Sequence, residues 1–240
     1  EWESLLEDIE GAGYFGLNLI VTGPDPLSHK IQRIFLALPN ASRNISIYIA
    51  DIVDRPELKE SIVGDLAGLL EERRITKVLH DAKSVLAFIR KTENRKLNTC
   101  NIFDIMLASQ ICWSGYYYLT LSGNPKNPWT KRFPNHSLAS LAERHLGIVL
   151  DEEGCPAQGT AALLPLHGIL AELLARNDLC RVADLEFRAA VVLAEMEISG
   201  IGLDSSGARE LLAQEVDEVF DLVRRMQDEA ERKGFVTVSF

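Results

Sequence analysis

The sequence predicts an α/β protein, a mixed five-stranded sheet flanked by helices and followed by a helical segment. Three observations predict it. Three strand-like runs follow one another near the N-terminus. Two more then alternate with amphipathic helical stretches. Beyond residue 110 the apolar periodicity is almost wholly helical. A sheet closed by crossover helices is the natural arrangement of the order βββαβαβ.

Each element has its own local reason. Glu1 to Ile9 places Trp2, Leu5, Leu6 and Ile9 on one helical face, and Gly11 and Gly13 end the helix. Tyr14 to Thr22 reads as the first strand. Ile31 to Leu38 and Ile45 to Asp51 are the second and third, split by the turn-forming Pro39-Asn40. Pro56 opens a helix to about Arg74 that buries Leu58, Ile62, Leu66, Leu69 and Leu70; Arg73 and Arg74 suit its C-terminal dipole. Ile75 to Leu79 is a short buried strand, Asp81 to Lys91 a helix, and Leu97 to Phe103 the expected fifth strand. After it come a loop from 113 to 136, helices, and a last short strand from Phe235 to Phe240. Leu185 to Ile198 is an apolar helix broken by Gly200 and Gly202. Asp204, Ser205 and Ser206 then cap a long helix ending at Lys233-Gly234. Its stripe of Leu212, Val216, Val219, Val223 and Met226 suits ordinary packing or a coiled-coil partner.

Composition narrows the class. With 240 residues, 47% of them apolar, the chain can bury a sizeable core. No apolar run approaches the ~20 residues of a membrane helix, so no membrane is expected. Cys100, Cys112, Cys155 and Cys180 form no C-x-x-C pair, which argues against structural zinc and for a reducing, cytoplasmic setting. No signal peptide is visible, and the chain opens on Glu1 rather than Met, so an excised fragment is expected. The net charge of -10 is unevenly spread. Residues 1–72 carry -8 and residues 137–240 carry -10, whereas residues 73–136 hold 11 bases against 3 acids. Any grip on a phosphate backbone must therefore be local.

Two stretches carry a resemblance. Glu186 to Asp204, EFRAAVVLAEMEISGIGLD, resembles the opening of the polymerase domain in bacterial DNA polymerase I-type, family-A enzymes. Trp2 to Gln110, with KVLHDAKSVL and IFDIMLASQ, resembles the 3'-5' exonuclease domain of the same polymerases, as does HSLASLAERHLG at 136–147. The resemblance implies a ribonuclease-H-like exonuclease fold over residues 1–180 and the helical start of a polymerase domain over 181–240.

It also implies a chemistry against which this chain can be checked. Such exonucleases hydrolyse a terminal phosphodiester with two metal ions about 3.5–4 Å apart, held by four acidic positions. The first two form D-x-E on the first strand, where i and i+2 share a face. Here they fall on Asn18 and Ile20. Asp8 and Glu10 are also two apart, but on a helix, where they diverge. The third position, four residues after a polar cap, is Val85 following Asp81; Lys83 between them matches the family's lysine. Asp81 is an N-cap or, alternatively, a rescue ligand. The fourth motif, Tyr-x-x-x-Asp, aligns with Ala161 and Pro165, with His167 close by as a packing histidine or a lone zinc or acid-base group; no Tyr or Asp occurs from 157 to 175. No catalytic residue, metal or cofactor is therefore expected. Glu195 and Glu197 sit two apart on a helix and face different ways, and Asp217, Glu218 and Asp221 read as a solvated helix face.

A separate candidate is basic and aromatic. Arg90, Lys91, Arg95 and Lys96 follow the helix that begins at Asp81. Lys126, Lys131 and Arg132 are interleaved with Tyr116, Tyr117, Tyr118, Trp129 and Phe133 in a loop stiffened by Pro125, Pro128 and Pro134. Such a mixture suits single-strand binding, or else aromatics packed on the domain beneath. The expected function is a catalytically inactive, exonuclease-like domain of a polymerase, monomeric, that scaffolds or guides DNA in replication or repair. The alternatives are an active exonuclease with displaced ligands and a stand-alone interaction module.

Overall fold

The computed structural model describes residues 2–40, 45–52, 56–124, 127–151, 155–202 and 204–234. In chain order its elements are α1 (Trp2–Ala12), β1 (Tyr14–Val21), β2 (Ile31–Pro39), β3 (Ile45–Asp51), α2 (Pro56–Glu71), β4 (Thr76–Leu79), α3 (Ala82–Glu93), β5 (Ile102–Asp104), α4 (Ile105–Cys112), β6 (Tyr118–Asn124), β7 (Asn127–Arg132), α5 (Leu138–Leu146), α6 (Pro156–Arg176), α7 (Cys180–Ser199) and α8 (Ser205–Arg232).

Strands β3-β2-β1-β4-β5 form the mixed sheet. The β1–β2 and β2–β3 pairs are antiparallel, and β1–β4 and β4–β5 are parallel. Alternation along β1 builds a core on each face. Phe15 and Leu17, with Leu19 and Val21, join the core that also holds Leu66, Leu70, Leu86 and Ile89. Tyr14 packs with the other, which holds Leu163, Leu166 and Leu170. Gly16 lets α6 come close, since a Cβ there would stand 3.2 Å from Ala37 Cβ and 3.3 Å from Leu163 Cβ.

Lys77 is fully buried in β4. Its ammonium donates to the carbonyls of Glu72 and, at 3.0 Å, Cys100. It thereby ties the end of α2 to the chain entering β5.

Four expectations change. The fifth strand is Ile102–Asp104, not Leu97 to Phe103. Leu97 is buried, but the Cys100 N–H turns to Leu70 O and Asn101 takes φ 52°, so pairing starts only after it. The segment from 113 to 136 is not a loop throughout: β6 and β7 pair as an antiparallel ribbon. The helix expected from Leu185 begins at Cys180. The helix after Pro56 stops at Glu71 rather than Arg74. The strand expected at 235–240 lies outside the described residues.

The chain forms two compact units, 1–199 and 200–240. This boundary in packing falls after α7, whereas the division at 180/181 follows the resemblance to a polymerase segment. In the second unit, Asp204 caps α8 through the Ser206 and Gly207 N–H groups, both at 3.1 Å. No described residue of α8 is buried, and Leu212, Val216, Val219, Val223 and Met226 are exposed.

Candidate functional site

The parallel register of β1 and β4 sets the geometry of the site. Gly16 pairs with Val78. Two residues on, Asn18 comes level with His80, from which Asp81 and α3 depart. Asn18 and the start of α3 therefore share the C-terminal edge of neighbouring strands.

The groups at that edge are neutral or already engaged. Asn18 Oδ1 accepts the Leu19 N–H at 2.9 Å. Ile20 lies two residues on, opposite Arg33 of β2. His80 Nε2 is 2.9 Å from His136 O, and His136 Nδ1 is 2.8 Å from Ser109 Oγ, which links this edge to α4 and α5. Asp81 caps α3 from a left-handed conformation at φ 57°, and its carboxylate accepts from Ser84 N (3.4 Å) and Ser84 Oγ (2.6 Å). Lys83 donates to Glu197 of α7 at 2.7 Å. Val85 is buried in the first core.

Helix α6 crosses over β1. Leu163 lies against Gly16, and His167 reaches Tyr14 near the strand's start, so the helix runs antiparallel to β1. The position one turn before Leu163 is Gly159, and it comes level with Asn18. A Tyr-x-x-x-Asp motif facing β1 would therefore fall on Cys155 and Gly159, rather than on Ala161 and Pro165 as the sequence alignment suggests. Gly159 is buried, and a Cβ there would stand 3.2 Å from Leu138 Cδ2. His167 lies against Phe103 (4.5 Å, edge-on) and Tyr14 (6.0 Å), and burial lowers its pKa.

These residues do not fit a pair of divalent cations. They offer one neutral amide oxygen, two aliphatic side chains and a glycine. Among the described residues, no three His, Cys, Asp or Glu side chains are grouped to hold a metal.

One carboxylate at this edge escaped the sequence reasoning. Asp104 is buried, accepts the Ala82 N–H at 2.7 Å, and caps α4 through Met106 N (2.8 Å) and Leu107 N (3.2 Å). It binds the start of α3 to the start of α4, and burial pushes its pKa up. The available signal was an acid immediately before a helical stretch, a capping pattern.

The basic candidates separate. Arg90 donates to Glu195 at 3.1 Å and Arg95 makes two bonds to Glu71, at 3.0 and 3.2 Å. Both are committed to the fold, which leaves Lys91 and Lys96 exposed. Lys126 lies outside the described residues. On the ribbon, Trp129 and Lys131 stand opposite Leu121 and Leu119, and Arg132 opposite Tyr118. Trp129, Tyr116, Tyr117, Tyr118 and Phe133 are all exposed, and Tyr116 meets Trp113 edge-on at 5.4 Å. Lys131 Nζ lies 4.2 Å from the Tyr117 ring centroid. No helix of the described residues is long and apolar enough to cross a membrane.

Comparison with known proteins agrees with this architecture. The family described as 3'-5' exonuclease matches residues 2–169. No curated protein matches. Among solved structures, Brucella melitensis NrnC with bound Mg2+ superposes with a TM-score of 0.61 at 15% identity, over 81% of this chain and 89% of that one. The M. smegmatis Pol1 polymerase, in complex with a DNA primer-template and dNTP, gives 0.68 at 20% identity, over 94% of this chain and 35% of that one. Escherichia coli RNase D gives 0.55 at 16% identity, over 80% and 48%.

Proposed function

The chain belongs to the 3'-5' exonuclease family, and from that membership we propose that it is a catalytically inactive member, working as a scaffold or nucleic-acid-guiding domain of a family-A DNA polymerase. The observation that carries the inactivity is the edge of β1 and β4. On the sequence resemblance, Asn18 and Ile20 take the positions of the family's first two carboxylates and Val85 that of the third, and a Cβ at Gly159 would stand 3.2 Å from Leu138 Cδ2. A phosphodiester cleaved by paired metals needs those carboxylates twice, to hold the ions and to balance their charge. The polymerase setting is supported by the M. smegmatis likeness, which covers 94% of this chain, together with the segment from Glu186 to Asp204. On this reading residues 181–240 begin the polymerase domain, the partner is DNA in replication or repair, and the protein is a cytoplasmic monomer.

The test is a nuclease assay on single-stranded DNA with Mg²⁺ or Mn²⁺. The expected result is no 3'-5' shortening above background. Shortening by the wild type that is lost in Asn18→Ala would overturn the reading.

A further inference from the structure

We propose that the outer face of the β6–β7 ribbon is a stacking surface for single-stranded nucleic acid. The proposal deepens the guiding role above and rests on that reading only for its purpose. None of its residues is among those named at the edge of β1 and β4.

Three observations converge. The first is charge. Residues 113–136 contain no Asp or Glu in a chain that has 35, but they do contain Lys126, Lys131 and Arg132. An apolar protein-binding face needs no such exclusion, whereas a surface that approaches phosphates does.

The second is the two-sidedness of the ribbon. Thr120 and Thr130 pair on the inner side, where both are half-buried and Thr120 Oγ1 is shut off from solvent. Leu119, Leu121, Trp129 and Lys131 alternate to the opposite side. Leu121 is 75% exposed and Trp129 is 54% exposed. A two-stranded ribbon has no reason of its own to keep an indole in water.

The third is the arrangement of rings and cations. Lys131 stands over Tyr117, whose ring approaches Phe133 at 6.4 Å, and it lies between Trp129 and Phe133 on the outer side of β7, whereas Arg132, opposite Tyr118, alternates to the inner side with Thr130. Flat π-faces flank a cation along one short strand. Bases stack on such rings whatever their sequence, while the cations follow the backbone.

The test uses the whole chain with labelled oligo(dT) and oligo(U), read by anisotropy at several salt concentrations and by quenching of tryptophan fluorescence. The expected result is binding that weakens with salt. Trp129→Ala should lose roughly 5- to 150-fold in affinity, the equivalent of one stacked base, along with most of the quenching. Lys131→Ala should flatten the salt slope by about one, and Arg132→Ala, on the inner side, should change it less. Arg176→Ala, at an exposed position at the end of α6, should bind as the wild type does. The dT and U arms separate DNA from RNA. No binding at low salt, equal binding by wild type and Trp129→Ala, or ribbon-dependent self-association without binding would overturn the proposal. Oligonucleotide shortening in Mg²⁺, followed in the same samples, would count against inactivity alone and leave the ribbon result standing.

Discussion

Lys83 Nζ lies 2.7 Å from Glu197 Oε2, so the lysine at the centre of KVLHDAKSVL is tied to helix α7. Seven residues on, Arg90 reaches Glu195 of the same helix. The two pairs differ in solvent access: 40% and 42% of the Lys83 and Glu197 side chains are exposed, against 19% and 22% for Arg90 and Glu195. Lys83→Ala should therefore cost under about 1 kcal/mol in urea unfolding, and Arg90→Ala about 1–3 kcal/mol, because it leaves Glu195 half-buried without its partner. Equal costs would show that burial does not separate them.

Returning carboxylates to the edge should not return a nuclease. Asn18→Asp/Ile20→Glu/Val85→Asp should remain inactive with Mg²⁺ or Mn²⁺, because the position at Gly159 still lacks an acid and lies against Leu138. Val85→Asp alone should lower stability by about 3 kcal/mol or more, since it puts a charge among Leu86, Phe88 and Ile89. Denaturant midpoints check the second expectation, and oligonucleotide shortening the first.

Asp104 should be the most sensitive acid at this edge. Asp104→Ala leaves three N–H donors without their acceptor and should cost at least about 2 kcal/mol. Asp104→Asn keeps one oxygen and should cost less. Burial raises the folded pKa above the ordinary 3.8. The native state thus holds a proton that the unfolded state has released, and this contribution to stability fades as pH rises from 3.8 through the raised value. Asp104→Asn should flatten stability against pH across that window.

Histidines act in the opposite direction. Burial lowers the pKa values of His136, His145 and His167 below 6.5, with Arg144 adding to the first two. Their unfolded forms take up protons first, so stability is full above pH 6.5 and falls as the pH drops toward the lowered values. His167→Phe, placed between Tyr14 and Phe103, should reduce that acid loss; thermal melts from pH 7.5 to 5 check it.

The sheet was legible because its strands alternate and its helices keep a regular apolar stripe; β1, β3 and α3 lie within two residues of their expected bounds. The ribbon was missed because Gly123, Pro125 and Pro128 outweigh the alternation from Tyr118 to Leu121, which on its own reads as a strand. Pairing across the turn, a contact between distant residues, settled it. Arg90 and Arg95 look like free cations in the sequence, because Glu195 and Glu71 become their neighbours only through folding. The register of α6 against β1 was not legible because α6 carries no distinctive residue. Its position is fixed by Leu163 seated on Gly16, and a sequence read along one strand at a time does not show that contact.

The approach of Leu138 to Gly159 gives the proposed loss of activity a direction in time. If the family's acid belongs at 159, as proposed, its replacement by glycine beside Leu138 would be hard to reverse one step at a time. An acid at 159 first meets Leu138, and a smaller residue at 138 first opens a hollow beneath α5; neither step gains anything until the acids at 18, 20 and 85 are also in place. On that reading each step back would cost stability before it gained activity, and single mutations would lead away from hydrolysis more readily than toward it.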